Sequence, residues 1–337
     1  MSKKNGVTVT DSKETNSDWP VPLTEQETIY LASLSESLLE GFNQLLKNEK
    51  IESNESFELT HQHIYLPFCS WLIKQKKDIP LVIGINGSQG SGKSTLTRIL
   101  KYVLESGFDK TVACLSIDDL YKTREQRLQL AKTVHPLLQT RGVPGTHDTT
   151  LGINILTQLK SKQAKPVLIP VFDKAIDDRL DKSRWQPHHG ECDFILFEGW
   201  CVGTTAEDEQ SLKQDINELE RNEDKDTSWR QYVNQQLKND YAEMFSHIDI
   251  QLLLKIPDFR KVYEWRQLQE QKLETKTKAK ATIDRQPGLM DKEQLKHFLM
   301  HYERLTRHTL NEMPDRCDVI FELGDDHMIK NVKARCE

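Results

Sequence analysis

The sequence predicts an α/β fold in which a mostly parallel β-sheet is flanked by helices and preceded by an N-terminal helical extension. Three observations carry that prediction. Short apolar runs rich in branched residues recur along the chain: "IPLVIGIN" (79–86), "TVACLSI" (111–117), "CDFILFE" (192–198), "IDIQLLLKI" (248–256) and "DVIFEL" (318–323). Stretches of helical periodicity separate most of them, and such alternation argues for parallel strands covered on both faces. Between the first run and the helix that follows lies "GSQGSGKST" (87–95), a loop too poor in side chains to serve a core.

Taken in order, the start "MSKKNGVTVTDSKETNSDWP" is polar and lacks the apolar centre of a signal peptide, so residues 1–20 are expected to be disordered. Residues 21–80 are expected to form the helical extension packed on the core. Thr24 and Glu27 are placed for a capping box, and Ile29, Leu31, Leu34, Leu38, Leu39, Phe42, Leu45 and Leu46 recur at helical spacing over 25–47. "HIYLPFCSWLIKQ" reads as a second helix that Pro67 starts or kinks. The core is expected over 81–337. Its first helix, "KSTLTRILKYVLE", carries Leu96, Ile99, Leu100, Val103 and Leu104 on one face. "PVLIPVF" (166–172) contains Pro166 and Pro170, which suit a sheet edge or a hairpin near a substrate better than a central strand. The charged, glutamine-rich stretch at 203–240 has little periodicity and reads as a solvated helical insert or loop without chemistry.

Bulk composition narrows the function. The chain has 337 residues, a net charge of −6 and a pI near 6.0, with no basic stripe, so no nucleic-acid partner is expected. Its six cysteines form no C-x-x-C pair, and neither a zinc site nor a disulfide framework is indicated. No run approaches the ~18 apolar residues of a membrane span. A soluble cytoplasmic protein is expected.

The loop at 87–95 carries the chemistry. Gly87, Gly92, Lys93 and Ser94 fit G-x-x-x-x-G-K-[ST], in which small residues let consecutive backbone N–H groups turn around an anion. Gly87, Ser88, Gln89, Gly90, Ser91, Gly92, Lys93, Ser94 and Thr95 would therefore bind a nucleotide's phosphates at a helix N-terminus, where the dipole favours negative charge. Lys93 would reach the terminal phosphates and Ser94 would hold Mg²⁺. No N-K-x-D guanine-reading motif occurs, which argues against a GTPase switch.

Ligands of open α/β sheets bind beyond the carboxyl ends of strands. Asp118 and Asp119 end one predicted strand, and either could accept a substrate hydroxyl's proton while the other caps a helix. Glu198 ends another and would orient the cation. Two polar loops complete the set. "TRGVPGTHDTT" (140–150) supplies Arg141, His147 and Asp148, and "VFDKAIDDRLDKSRW" (171–185) supplies Lys174 and Arg179. Arg141 with Lys174 or Arg179 would suit a small carboxylate. In a lid expected near 257–285, Arg260 or Arg266 would stabilise transferring phosphoryl charge.

The series "GSQGSGKST", "LSIDDLYK", "TRGVPGTHD", "VFDKAIDDR", "FILFEGW", "EWRQLQEQ" and "MHYERLTRHTL" resembles the phosphoribulokinase, uridine kinase and pantothenate kinase superfamily of P-loop kinases. It is most similar to the D-glycerate 3-kinase branch, over roughly residues 60–325. The resemblance implies an ATP- and Mg²⁺-dependent kinase that phosphorylates the 3-hydroxyl of D-glycerate; the alternatives are a P-loop kinase for another small alcohol, pantothenate or a nucleoside, and a nucleotide-binding regulator without a phosphoryl acceptor. It also implies a catalytic role for Asp118 and a lid role for Arg266. Asp119, Arg141, His147 and Asp148 fall with the substrate, and Glu198 falls in the second acidic motif. "YERLTRH", with Tyr302, Arg304 and Arg307, is a signature of the branch.

Overall fold

The computed structural model describes residues 19–161, 165–267 and 291–335. The sequence expectations for 1–18 and for the lid beyond residue 267 lie outside them.

The N-terminal helix α1 (Glu25–Asn48) starts where the capping box predicts, with the Thr24 side chain accepting from the Glu27 N–H and the Glu27 carboxylate accepting from the Thr24 N–H. It buries Leu31, Leu38, Phe42 and Leu46, whereas Ile29 is 65% exposed and does not belong to its packed face. A second helix runs as α2 (Glu55–Thr60), a π-helical turn at His61–Tyr65 and α3 (Leu66–Gln75). Pro67 is the second residue of α3, directly after the π-helical turn, so it falls where the helix changes its winding rather than at its start. Trp19 packs on Phe68, and Phe68 packs edge-on against Phe321 of the sheet at 5.4 Å, which ties the extension to the core.

Strand β1 (Leu81–Gly87) leads through the glycine loop into α4 (Lys93–Tyr102). Then follow β2 (Val112–Ser116), α5 (Arg124–Thr133) and α6 (Thr149–Lys160). The "PVLIPVF" stretch joins no central sheet. It divides into β3 (Val167–Ile169), paired with β6 (Gln186–His188), and β4 (Phe172–Asp173), paired with β5 (Asp178–Arg179) in a hairpin. The core continues with β7 (Phe194–Gly199), α7 (Glu218–Glu223), α8 (Ser228–Gln236), α9 (Ala242–Phe245) and β8 (Ile250–Lys255). A helix at residues 259–267, here α10, precedes α11 (Lys292–Glu312), β9 (Val319–Leu323) and β10 (Ile329–Ala334).

The six-stranded sheet has the order β10-β9-β8-β1-β7-β2, with every pair parallel except the β9–β10 edge. Successive side chains of a strand face opposite sides. Ile83, Ile85, Phe194 and Leu196 accordingly pack with α1, α3 and α4, while Val82, Leu115, Ile195 and Phe197 pack with α6 and α8. Burying Phe194 or Phe197 completely contributes about 2–3 kcal/mol each. The parallel register sets Ile85 beside Glu198 and Ser116 beside Glu198 across the next pair. The carboxyl ends of β1, β7 and β2 therefore open at one edge, and the residues that follow them meet there.

The stretch expected to be a solvated helical insert or loop is helical over Glu218–Glu223 and Ser228–Gln236, but it is only partly solvated. Its charges are in part buried: Glu220 and Asp224 are inaccessible, Arg230 is nearly so, and Leu219 and Trp229 sit in the core. A buried carboxylate is stable only when paired, and here each has its guanidinium: Arg230 Nη1 bonds Glu220 at 2.8 Å and Arg304 Nε bonds it at 2.7 Å. Arg230 Nε also lies 3.4 Å from Asp224. "YERLTRH" thus supplies, through Arg304, a clamp on the insert, while Arg307 pairs with Glu303 on the surface.

Candidate active site

The phosphate loop takes its shape from Gly92, which has φ +89° and immediately precedes α4. A Cβ there would meet no neighbour, so the left-handed conformation, not space, demands glycine. Lys93 Nζ folds back to the Ser88 carbonyl at 3.3 Å, and the hydroxyls of Ser88 and Ser91 are buried with no hydrogen-bond partner among the described residues. Buried donors without partners in a loop of inward backbone suit an anion. Ser94 Oγ donates to Glu198 Oε1 at 2.9 Å, which joins the loop to the end of β7. Hard oxygen donors of this kind, one of them a carboxylate, fit Mg²⁺.

Beside the loop lies a cavity of about 700 Å³ whose wall includes Gln89, Lys93, Asp118, Arg141, Lys174 and Arg266. The two aspartates after β2 have different tasks. Neither caps a helix; the Ser116 side chain caps the short 3₁₀ turn at Ile117–Leu120. Asp118 faces the cavity, its Oδ1 accepting from the Tyr121 hydroxyl at 3.0 Å and its Oδ2 from Lys174 Nζ at 2.6 Å. Burial pushes the Asp118 carboxyl up, but the Lys174 ammonium, with Lys93 behind it, outweighs burial and holds it below the usual carboxylate range. Asp119 points away and accepts the backbone N–H of Phe172 at 2.9 Å, pinning β4. Burial, reinforced by the Asp118 charge, pushes it up to about 6.

The residues expected at the substrate divide in the same way. Arg141 and Lys174 reach the cavity wall. His147, Asp148 and Arg179, expected beside them, lie outside that wall. His147 is fully buried, hydrogen-bonded through Nδ1 to the Tyr241 hydroxyl at 2.5 Å and stacked on Tyr121 at 4.4 Å. Burial lowers its ring to about 3, so it is neutral. Asp148 caps α6 by accepting from Leu151 N–H and holds Arg179 at 3.0 Å. A polar residue in a turn-rich loop reads alike whether it points at ligand or at backbone, and here the backbone took them. Of the two arginines expected in a lid, Arg260 is solvent-exposed and paired with Asp258, while Arg266 lines the cavity. Trp265 of α10 lies against Gly90 of the loop.

Three aromatic residues support the site, and the sequence reading assigned none of them a role there. Tyr121 orients Asp118, Trp200 Nε1 donates to the Gly142 carbonyl at 3.0 Å, and the Tyr302 hydroxyl donates to the Arg141 carbonyl at 3.0 Å. Tyr121 and Trp200 stand within the quoted "LYK" and "EGW", two residues beyond Asp119 and Glu198.

A phosphate loop opening a helix, with carboxylates from the two neighbouring parallel strands and basic side chains around one cavity, defines the class: a P-loop kinase. No protein-family model matches the chain. It is 35% identical over 236 residues to the uncharacterized kinase mug58 of Schizosaccharomyces pombe, which spans 66% of this chain and 78% of that protein. It is 32% identical over 223 residues to the chloroplastic D-glycerate 3-kinase of Arabidopsis thaliana, spanning 60% of this chain and 46% of that one. A solved D-glycerate 3-kinase from Cryptococcus neoformans shares the fold with a TM-score of 0.65 at 24% identity, over 80% of this chain and 97% of its own. The chain belongs to the family of P-loop kinases that includes the D-glycerate 3-kinases. Among the described residues no helix is long and apolar enough to cross a membrane.

Proposed function

We propose that the protein transfers the γ-phosphoryl group of ATP to the 3-hydroxyl of D-glycerate, giving 3-phosphoglycerate and ADP. The observation that carries this reading is Asp118, an ionised carboxylate on a cavity wall shared with the phosphate-loop lysine and with basic side chains. The loop amides and Lys93 hold the triphosphate. The acceptor oxygen attacks the γ-phosphorus, the bond to the β-phosphate oxygen breaks, and the hydroxyl proton passes to Asp118. Basic residues of the wall hold the acceptor's carboxylate, and Arg266 meets charge developing on the transferred group. Ser94 and Glu198 would hold Mg²⁺, which when bound neutralises phosphate charge.

The test is ADP release from Mg·ATP with D-glycerate, L-glycerate, pantothenate and uridine offered in turn. D-glycerate is expected to stimulate release, and Asp118→Asn to lower turnover by about 10²–10⁴-fold while ATP binding survives. Stimulation by pantothenate or uridine in its place would sink the acceptor assignment. An Asp118→Asn variant with full turnover would sink the mechanism.

A further inference from the structure

Both oxygens of Asp118, the base of the proposed reaction, already accept a hydrogen bond, Oδ1 from the Tyr121 hydroxyl and Oδ2 from the Lys174 ammonium. Each keeps a second lone pair, but the ammonium charge on Oδ2 makes the carboxylate a weaker proton acceptor for an entering hydroxyl for as long as it stays. Tyr121 cannot leave cheaply. Its ring is buried, stacked on His147 and packed edge-on against Phe172 at 5.2 Å. Lys174 can: its side chain is 61% exposed, and it hangs from the β4–β5 hairpin by a flexible stem.

The hairpin itself is anchored. Asp119 holds the Phe172 N–H, Arg127 Nη2 donates to the Asp177 carbonyl at 2.6 Å, and Leu180 N–H donates to the Val171 carbonyl at 2.9 Å. A fixed backbone with a mobile ammonium makes a swinging arm. The other two cations expected to meet the acceptor's acid group are committed elsewhere. Arg141 pairs with Asp177 and lies over the Phe172 ring at 5.6 Å, and Arg179 pairs with Asp148 outside the cavity wall.

Resting on the glycerate reading above, we propose that Lys174 determines acceptor specificity by masking the base: it covers Asp118 Oδ2 until the carboxylate of a short hydroxy acid draws it off, and then holds that carboxylate. The chemistry recognised is an anionic group only a few bonds from the reacting hydroxyl. D-glycerate has that arrangement on three carbons, so one short swing exchanges Asp118 for the substrate carboxylate as the partner of Lys174 and exposes Oδ2 to the hydroxyl. Water and neutral alcohols offer the ammonium no new partner. They leave the base covered, and ATP is spared from hydrolysis in their presence.

The experiment compares the full chain with Lys174→Met and Lys174→Arg, measuring KM and kcat for D-glycerate, kcat/KM for glycerol, and acceptor-free ATP hydrolysis. Loss of one charge-assisted contact is expected to raise the D-glycerate KM of Lys174→Met by roughly 10- to 100-fold. Glycerol phosphorylation and acceptor-free hydrolysis are expected to rise several-fold in the same variant, with Lys174→Arg between the two. Equal losses with D-glycerate and glycerol would overturn the proposal, as would a lower kcat at unchanged D-glycerate KM, which would put Lys174 on the phosphoryl group. Hydrolysis that fails to rise would overturn the masking. If D-glycerate does not stimulate the wild-type chain at all, the glycerate reading fails first. A neutral acceptor would then overturn the role of Lys174 as well, whereas an anionic one must show the same split between KM and hydrolysis.

Discussion

Removing Arg304 should loosen the molecule at a place remote from the phosphates. Its guanidinium grips Glu220 with two bonds, Nε to Oε1 and Nη2 to Oε2, both at 2.7 Å, and reaches Glu207 at 3.2 Å. Glu220 is inaccessible to solvent, and after Arg304→Met its only guanidinium partner among these contacts is Arg230, which Asp224 also claims. Breaking a buried ion pair from one side costs about 3–5 kcal/mol, and the retained Arg230 argues for the lower end, about 3 kcal/mol. An unfolding entropy of about 2.1 cal/mol/K per residue converts this into a fall in Tm of about 4 °C for a chain of this length. The assay is a thermal melt of wild type, Arg304→Met, Glu220→Met and the double variant. The double variant should recover most of the loss, because the penalty lies in the stranded charge and not in the missing pair. A single variant melting within about 1 °C of wild type would show the clamp to be energetically neutral and refute the reasoning.

Two further substitutions separate strain from electrostatics. Gly142→Ala places a methyl 2.3 Å from the Tyr302 hydroxyl at φ +143°, so it should destabilise by about 2–3 kcal/mol and raise the acceptor KM while leaving the ATP KM unchanged. Melting temperatures and the two KM values check it. Asp119→Asn should stabilise, with a sign that depends on pH. A carboxyl raised to about 6 in the folded state favours folding below its unfolded value of about 3.9 and loses that contribution as pH rises through 6. The asparagine keeps an oxygen for the Phe172 N–H without the charge. Melts should therefore show a gain on the order of 2 kcal/mol at pH 7.5 and little change at pH 4, and an equal gain at both would refute the assignment.

The strand, loop and helix around Lys93 were legible because their spacing is dictated locally: each glycine or apolar position answers to its immediate neighbours. The carboxylates at strand ends were legible for the same reason, since Asp118 and Glu198 directly follow or end the apolar runs that form β2 and β7. Which of Asp118 and Asp119 faces the cavity was not legible from the residues themselves; only the family resemblance singled out Asp118. The choice depends on the hairpin β4–β5, more than fifty positions on, whose Phe172 N–H claims Asp119. The insert misled for a related reason. Glu220 and Arg304 are 84 positions apart, and without that pairing a run of charged residues looks like a solvated surface. Strand β10 was missed because only Val332 of its six residues is buried, so it shows no apolar run.

The loop at 140–150, proposed above to meet the acceptor through Arg141, shows how a loop without regular structure is held. Its backbone polar groups, which water would otherwise satisfy, are taken by aromatic side chains from three elements. Tyr302 of α11 takes the Arg141 carbonyl, Trp200 after β7 takes the Gly142 carbonyl, and Tyr241 at the end of the turn following α8 accepts the N–H groups of Gly145 and His147. Each contributes about 1 kcal/mol net, yet each also brings a buried ring that cannot shift without opening the core. Trp200 and Tyr302 in turn pack edge-to-face at 4.8 Å, so two of the three supports stand or fall together. The position of Arg141 is consequently a property of the β7 end and of α11 rather than of its own loop. Changes in "EGW" or "YERLTRH" should move the acceptor site even where no substituted residue touches the acceptor.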